Sequence, residues 1–179
     1  RTSEALLRIE KKLKKKFDII IMYQGDEPLV NPLYLKKMLK LFHNKTTKIV
    51  NLIYKTNSLK LLKDQNNVKL VVNKRNEAIY FSRELLPSHW LKYKNYYGYI
   101  QTGVIAFRRK ELIKFNRIKE TNLEIFESVD MNRIIENSGI INVLKTNDTL
   151  ISVDNAKDLR VAENYLKKDS IFLKYKFDI

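Results

Sequence analysis

The chain has 179 residues, 44% hydrophobic and 31% charged, which suits one soluble globular domain with an ordinary core. It has no cysteine and only two histidines, His43 and His89, which excludes disulfides, thiolate metal sites and histidine-rich metal sites. The net charge of +15 is spread over most segments, without an arginine-rich block, zinc finger or RNA-binding aromatic motif. It therefore reads as solvated surface lysine with a mild field for anionic substrates.

Residues 3–16 are predicted as a helix. Ser3 is its candidate cap, Leu6, Ile9 and Leu13 recur at helical spacing, and the lysines of 11–16 complement the helix dipole. The apolar run 19–22 reads as a strand buried on both faces. It stops at Gln24-Gly25-Asp26-Glu27-Pro28, because Pro28 removes a donor and Gly25 permits unusual backbone angles. Asn31-Pro32 then opens a helix whose apolar side holds Leu35, Met38, Leu39 and Phe42. Residues 48–54 are predicted as a strand and 58–62 as one or two helical turns. Two short strands, 68–72 and 78–82, flank the turn residues Asn73-Lys74-Arg75-Asn76 and form a hairpin. Residues 83–98 are irregular and aromatic, with Trp90, Tyr93, Tyr96 and Tyr97, and are expected at a subunit interface.

A strand follows at 99–107 and a short helix at 109–115. Thr121-Asn122-Leu123-Glu124 has the capping-box pattern, so a helix is expected to run from it towards Asn137, with Gly139 as its stop. Strands are predicted at 141–144 and 150–153, the latter ending at Asp154, and a closing helix at 155–168. The tail 169–179 alternates apolar and polar residues without a clear assignment. Strands alternating with helices predict a single α/β domain with a mostly parallel sheet, helices on both faces and an antiparallel insertion. No apolar run approaches a membrane span, and residues 1–4 lack the makeup of a signal peptide. A cytoplasmic protein with neither membrane nor nucleic-acid partners is expected.

In open α/β sheets the ligand site lies beyond the carboxyl ends of strands, where Asp26 and Glu27 fall. Two carboxylates there suit a hard divalent cation and hence phosphate chemistry; plain loop residues near a helix start are the alternative. Val153-Asp154 closes a second strand in the same way. Asp26 and Asp154 could converge on one magnesium ion, or Asp154 could simply precede the last helix.

Five segments, taken in order, carry a family resemblance: Gln24-Gly25-Asp26-Glu27-Pro28; Ala78-Ile79-Tyr80-Phe81-Ser82-Arg83 with Pro87; Gly103-Val104-Ile105-Ala106-Phe107-Arg108; Leu123-Glu124 with Glu127-Ser128-Val129-Asp130 and Arg133; and Val153-Asp154 with Asp158-Leu159. Together they resemble the 3-deoxy-manno-octulosonate cytidylyltransferases, the CMP-Kdo synthetases. The resemblance implies a nucleotidyltransferase-like, Rossmann-like mixed sheet. It also implies transfer of CMP from CTP to an acid sugar, with release of pyrophosphate, for lipopolysaccharide or other surface polysaccharide. The expected cofactor is Mg2+, held by Asp26 and Asp154. Gln24, Gln101, Glu127 and Asp130 fall where the family contacts the sugar acid. Arg83 would suit a carboxylate or a phosphate, or else a structural ion pair. A homodimer formed around residues 68–98 is implied as well.

The chain departs from the family pattern in three places. Gln101 stands where the family has a sugar-contacting histidine, Val129-Asp130-Met131 replaces Leu-Glu-Gln, and Ala5 replaces an arginine. The family's opening loop, Ala-Arg-x-x-Ser-x-Arg-Leu-Pro-Gly-Lys, does not occur. The chain is therefore expected to be the later part of a longer enzyme, and inactive by itself. A cytidylyltransferase for another acid sugar (an amino-octulosonate or a nonulosonate) and a non-catalytic α/β binding domain are the competing readings. A nucleic-acid binder would rest on charge alone.

Overall fold

The computed structural model describes residues 1–148, 150–153 and 155–175. In chain order the elements are α1 (Thr2–Leu13), β1 (Ile19–Tyr23), α2 (Pro32–Leu41), β2 (Ile49–Thr56), α3 (Leu59–Lys63), β3 (Lys69–Val72), β4 (Ala78–Ser82), β5 (Gly98–Arg108), α4 (Arg109–Phe115), α5 (Asn122–Glu127), α6 (Met131–Glu136), β6 (Asn142–Thr146), α7 (Ala156–Leu166) and α8 (Ser170–Tyr175). Local chemistry explains several boundaries. The Asn31 side chain accepts from the Leu33 amide at 2.9 Å and Pro32 takes the first turn, so α2 starts there. Asn155 caps α7 in the same way, accepting from the Lys157 and Asp158 amides. The N-cap of α1 is Arg1 rather than Ser3, and Ser3 is buried inside the helix.

β5 is the strand on which the sheet is assembled. The sheet order is β4-β3-β5-β2-β6, with β1 also paired to β5. β2 lies along one edge of β5. On the other edge, β1 pairs with residues 104–108 and β3 pairs with Tyr99 and Ile100. Between these two partners β5 is left with Gln101, Thr102 and Gly103 at a fork. The expectation of a mostly parallel sheet is corrected here. Among the described strands only β2 and β6 pair in parallel, and β5 runs antiparallel to β1, β2 and β3. The reason is topological: β5 returns through the middle of the sheet directly after the β3–β4 hairpin, against strands that all run the other way.

β5 also bulges at the fork. Asn51 faces Ile105 and Ile53 faces Gln101, so one residue of β2 opposes three of β5. The fully buried Asn51 carboxamide fills the gap, donating to the carbonyls of Leu52, Thr102 and Val104 at 3.1–3.2 Å. The Thr102 hydroxyl adds a bond to the Leu52 carbonyl at 2.8 Å. Buried main-chain groups that the bulge would strand are thereby partnered.

Apolar side chains alternate along the strands into two cores, giving helices on both faces as predicted. On one face Ile49, Ile53, Ile105 and Phe107 pack with Leu6, Leu112, Met131 and Ile134 from the helices. On the other, Val50, Leu52, Val104 and Ala106 pack with Met38 and Leu62. Three further expectations change. The single helix from Thr121 to Asn137 is two short ones, interrupted at Ser128, which adopts a left-handed φ of 53°. Thr121 makes no capping bond, because Glu124 is engaged by Arg133 instead. Residues 150–153 form no ladder strand; Val153 is tied to the β1–α2 loop by one bond, its amide to the Asp26 carbonyl at 2.8 Å. Part of the unassigned tail, Ser170–Tyr175, is helical. Among the described residues no helix is long and apolar enough to cross a membrane.

Candidate functional site

A polar cleft of about 760 Å³ opens at the fork in β5. Of the site residues expected from the sequence, Gln24, Asp26, Arg83, Gln101 and Asp130 line it. Glu127 does not, and Asp154 lies outside the described residues. The β1–α2 loop enters the cleft because its main chain is sewn to β5. The Gln24 amide donates to the Gly103 carbonyl at 3.2 Å, and the Gly103 amide donates to Glu27 Oε1 at 2.8 Å. The Glu27 carbonyl also accepts from the Tyr23 hydroxyl at 2.6 Å. Glu27 is 5% exposed and braces the loop, and both it and Asp26 line the cleft. Gly103 is needed for its missing side chain. A Cβ there would lie 2.1 Å from Gln24 Oε1 and 2.8 Å from Gln24 Cβ, so the Gln24 side chain rests on the bare strand.

Asp26 Oδ1 is buried and has no hydrogen-bond partner among the described residues. An orphaned carboxylate oxygen on the wall of a polar cleft suits a hard cation such as magnesium, whose remaining ligands are commonly water and phosphate oxygens. Among the described residues, histidines and acids do not gather in threes around a possible metal.

Arg83 resolves into neither an ion pair nor a free cation. Its Nε donates to the Glu127 carbonyl at 3.1 Å, its terminal nitrogens to the carbonyls of Gln65 and Asn66 and, at 3.3 Å, to that of Ser128. Among the described residues no carboxylate pairs with it, so its charge is held in place by main-chain dipoles at the cleft wall. The Glu127 carboxylate turns away, accepting from the Tyr80 hydroxyl, the Ser82 hydroxyl at 2.9 Å and the Arg83 amide at 3.0 Å. Burial pushes Glu127 upwards, but these bonds outweigh it and hold the carboxyl below its ordinary pKa. Glu127 therefore locks β4 to α5 and sets the backbone of Arg83. Asp130, at the start of α6, is crowded by the cleft wall and by the Glu124 charge, which raise its pKa. Burial and the nearby Glu27 charge push Tyr54, on the cleft floor, up to about 12.

A family model described as cytidylyltransferase matches residues 1–169. The chain belongs to the cytidylyltransferase family. Within it, this cytidylyltransferase chain is similar to the 3-deoxy-manno-octulosonate cytidylyltransferase of Fusobacterium nucleatum, 35% identical over 156 residues, which are 87% of this chain and 63% of that protein. Its similarity to the enzyme of the same name from Bacteroides thetaiotaomicron is 33% over 164 residues, 86% of this chain and 65% of that protein. It thus spans somewhat under two thirds of these curated relatives. A solved CMP:2-keto-3-deoxy-manno-octonic acid synthetase complexed with CTP shares the fold, with a TM-score of 0.81 at 24% identity, over 94% of this chain and 68% of that one. The nucleotidyltransferase fold and the resemblance drawn from the five segments are both borne out.

Several residues of the cleft and its supports escaped sequence reading. Glu27 stands next to Asp26 in the acidic loop and reads as a second ligand, whereas its carboxylate braces the loop against Gly103. Asn51 and Lys69 stand among apolar residues in strands, and that mismatch was the available signal. Neither Glu124–Arg133 nor Tyr80–Glu127 has a sequence signature, since each pair joins separate elements.

Proposed function

We propose that this chain contributes the sugar-acid side of a magnesium-dependent cytidylyltransferase. The reaction joins CMP from CTP to 3-deoxy-manno-octulosonate or a close relative, releases pyrophosphate and serves surface-polysaccharide synthesis in the cytoplasm. The observation that carries the reading is the convergence of Gln24, Asp26, Arg83, Gln101 and Asp130 on one cleft at the β5 fork. The names of the relatives supply the substrate class.

Arg83 receives the sugar carboxylate, since its guanidinium is fixed by four carbonyls and no carboxylate among the described residues pairs with it. The Gln24 and Gln101 amides hold sugar hydroxyls, and Asp130 takes another. The anomeric hydroxyl is thereby aimed at the α-phosphate of CTP, and positioning of this kind is the main source of rate in such displacements. Asp26, together with Asp154, would hold the magnesium, which neutralises phosphate charge when bound. The bond from Val153 to Asp26 supports this pairing, since it ties the residue preceding Asp154 to the acidic loop.

The test is pyrophosphate release from CTP by the full-length protein with a panel of octulosonates and nonulosonates. Turnover with an octulosonate is expected, and no turnover with any acid sugar would overturn the reading. Gln101, in place of the family histidine, favours a second reading, an amino-substituted octulosonate, which the same panel separates. Residues 1–179 alone are expected to turn over negligibly, because the four glycines are isolated and none opens a phosphate-holding loop. A homodimer around residues 68–98 is proposed from the groove that residues 70–72, 93–97 and 99 line and from Trp90, which is 86% exposed. Sedimentation of the full-length protein as a monomer would contradict it.

A further inference from the structure

Lys69 is the largest fully buried side chain of the described residues, and no chemistry assigned above uses it. It stands first in β3, with its ammonium under the turn that precedes the strand. Nζ donates to the Asp64 carbonyl at 2.9 Å, to the Asn67 carbonyl at 2.7 Å and to the Arg83 carbonyl. An ammonium has three protons, and here each has a main-chain acceptor. Among the described residues no carboxylate forms an ion pair with it. Burial lowers its pKa, against the partly compensating charges of Glu84 and Asp64. Burying a cation without a paired anion is costly, and a methionine of similar size would fill the same space without that cost.

The carbonyls of the turn explain what the charge is for. Those of Asp64 and Asn67 point to Lys69, while those of Gln65 and Asn66 point to the Arg83 guanidinium. Four consecutive carbonyls are thus divided between two cations. Lys69 also holds the carbonyl of Arg83 itself. Asn66, Asn67 and Arg83 all line the cleft. The two cations and the turn form one unit, and Arg83 cannot keep its orientation if the turn swings free.

We infer that Lys69 is a positioning residue for substrate: through the 64–67 turn and the Arg83 main chain, its ammonium aims the Arg83 guanidinium at the carboxylate of the acid sugar. This rests on the cytidylyltransferase reading above and adds to it a residue that touches no substrate. Loss of the ammonium should therefore weaken the acid sugar selectively and leave CTP, which Arg83 is not proposed to hold, largely unaffected.

The experiment is steady-state kinetics of full-length Lys69→Met, Arg83→Gln and the double variant, with thermal melting of each. Small misplacements of a positioning group cost up to about 10²-fold, so a rise of about 10-fold or more in KM for the acid sugar is expected for Lys69→Met, with KM for CTP little changed. In the Arg83→Gln background the further effect of Lys69→Met should vanish, because there is no guanidinium left to aim. Equal losses for both substrates, or fully additive effects in the double variant, would overturn the inference and leave Lys69 a purely structural residue. Should Lys69→Met fail to fold, Lys69→Gln reads the same ratio, and failure of both to fold would likewise assign Lys69 to the fold alone. An inactive wild type would remove the functional reading and this inference with it, whereas an active wild type with an unchanged ratio would remove this inference only.

Discussion

Substituting Gly103 by alanine should damage the site more than the fold. The added Cβ would lie 2.1 Å from Gln24 Oε1 and 2.7 Å from its Cδ, whereas ordinary contact begins at 3.4 Å. The amide must therefore leave the strand it rests on. The Gln24 carboxamide is exposed and can move, but its Cβ, 2.8 Å from the new methyl, moves only with the loop main chain, so the stability cost should fall within the ~1–3 kcal/mol typical of an inserted methyl. The amide itself, however, moves by more than an ångström, and a displacement of that size can cost about 10²-fold in rate when the group positions substrate. The assay is kcat/KM for pyrophosphate release by the full-length protein, set beside a thermal melt. A large fall in kcat/KM with a small shift in melting temperature is expected, and Gln24→Ala should reproduce the kinetic part without touching β5. Wild-type kcat/KM in Gly103→Ala would refute the assignment of Gln24 to the substrate. A collapse of stability to match the lost activity would instead make Gly103 a folding requirement.

Asp26→Asn should lower activity by about 10²-fold or more and raise the magnesium concentration needed for half-maximal rate. Its melting temperature should hold or rise, since no hydrogen bond from a described residue depends on the buried Oδ1, and magnesium titration with melting checks both. Arg133→Met should cost about 3 kcal/mol in urea unfolding, because it leaves Glu124 buried without its bidentate partner. The double variant with Glu124→Gln should recover most of that loss. Arg109 grips Glu10 with two bonds of 2.7 Å and lowers its pKa from 4.5 to about 2. A carboxyl depressed on folding adds stability that is full above pH 4.5 and lost as pH falls towards 2. Glu10→Gln should flatten the stability profile in that window, as measured by denaturant melts at several pH values.

The sequence made the helix and strand positions legible wherever a local cause sets them. Asn31-Pro32 and Asn155 start helices through their own side chains, and the apolar run of β1 ends at a loop that cannot continue it. Strand direction was not legible, because the place of β5 among β1, β2 and β3 depends on pairings distant in sequence. The break at Ser128 has no local sequence signal, for a similar reason. The capping-box pattern favours one helix, but Glu127 is drawn to β4 and Arg133 back to Glu124, and the chain between Glu127 and Arg133 turns at Ser128. In the cleft, residues that line its wall, such as Gln24, Asp26 and Gln101, could be matched to motifs one by one. Those that hold the cleft together could not, since Lys69 and Asn51 act on main-chain atoms of other segments, Arg83 for the one and Thr102 and Val104 for the other.

The bulge in β5 constrains how this part of the chain can vary in length. Across it β5 carries two residues more than β2, an even number, so the strand leaves the irregularity in phase with itself. Gln101 and Gly103 stay on the same side as Ile105 and Phe107, and Ile100 stays with Val104 and Ala106. A single-residue insertion or deletion between Gln101 and Ile105 would turn one half of the strand inside out, exchanging the cleft-lining glutamine for a buried isoleucine. Length changes there should be viable only in pairs. Parity at this point is therefore a property that natural relatives and engineered variants alike should obey.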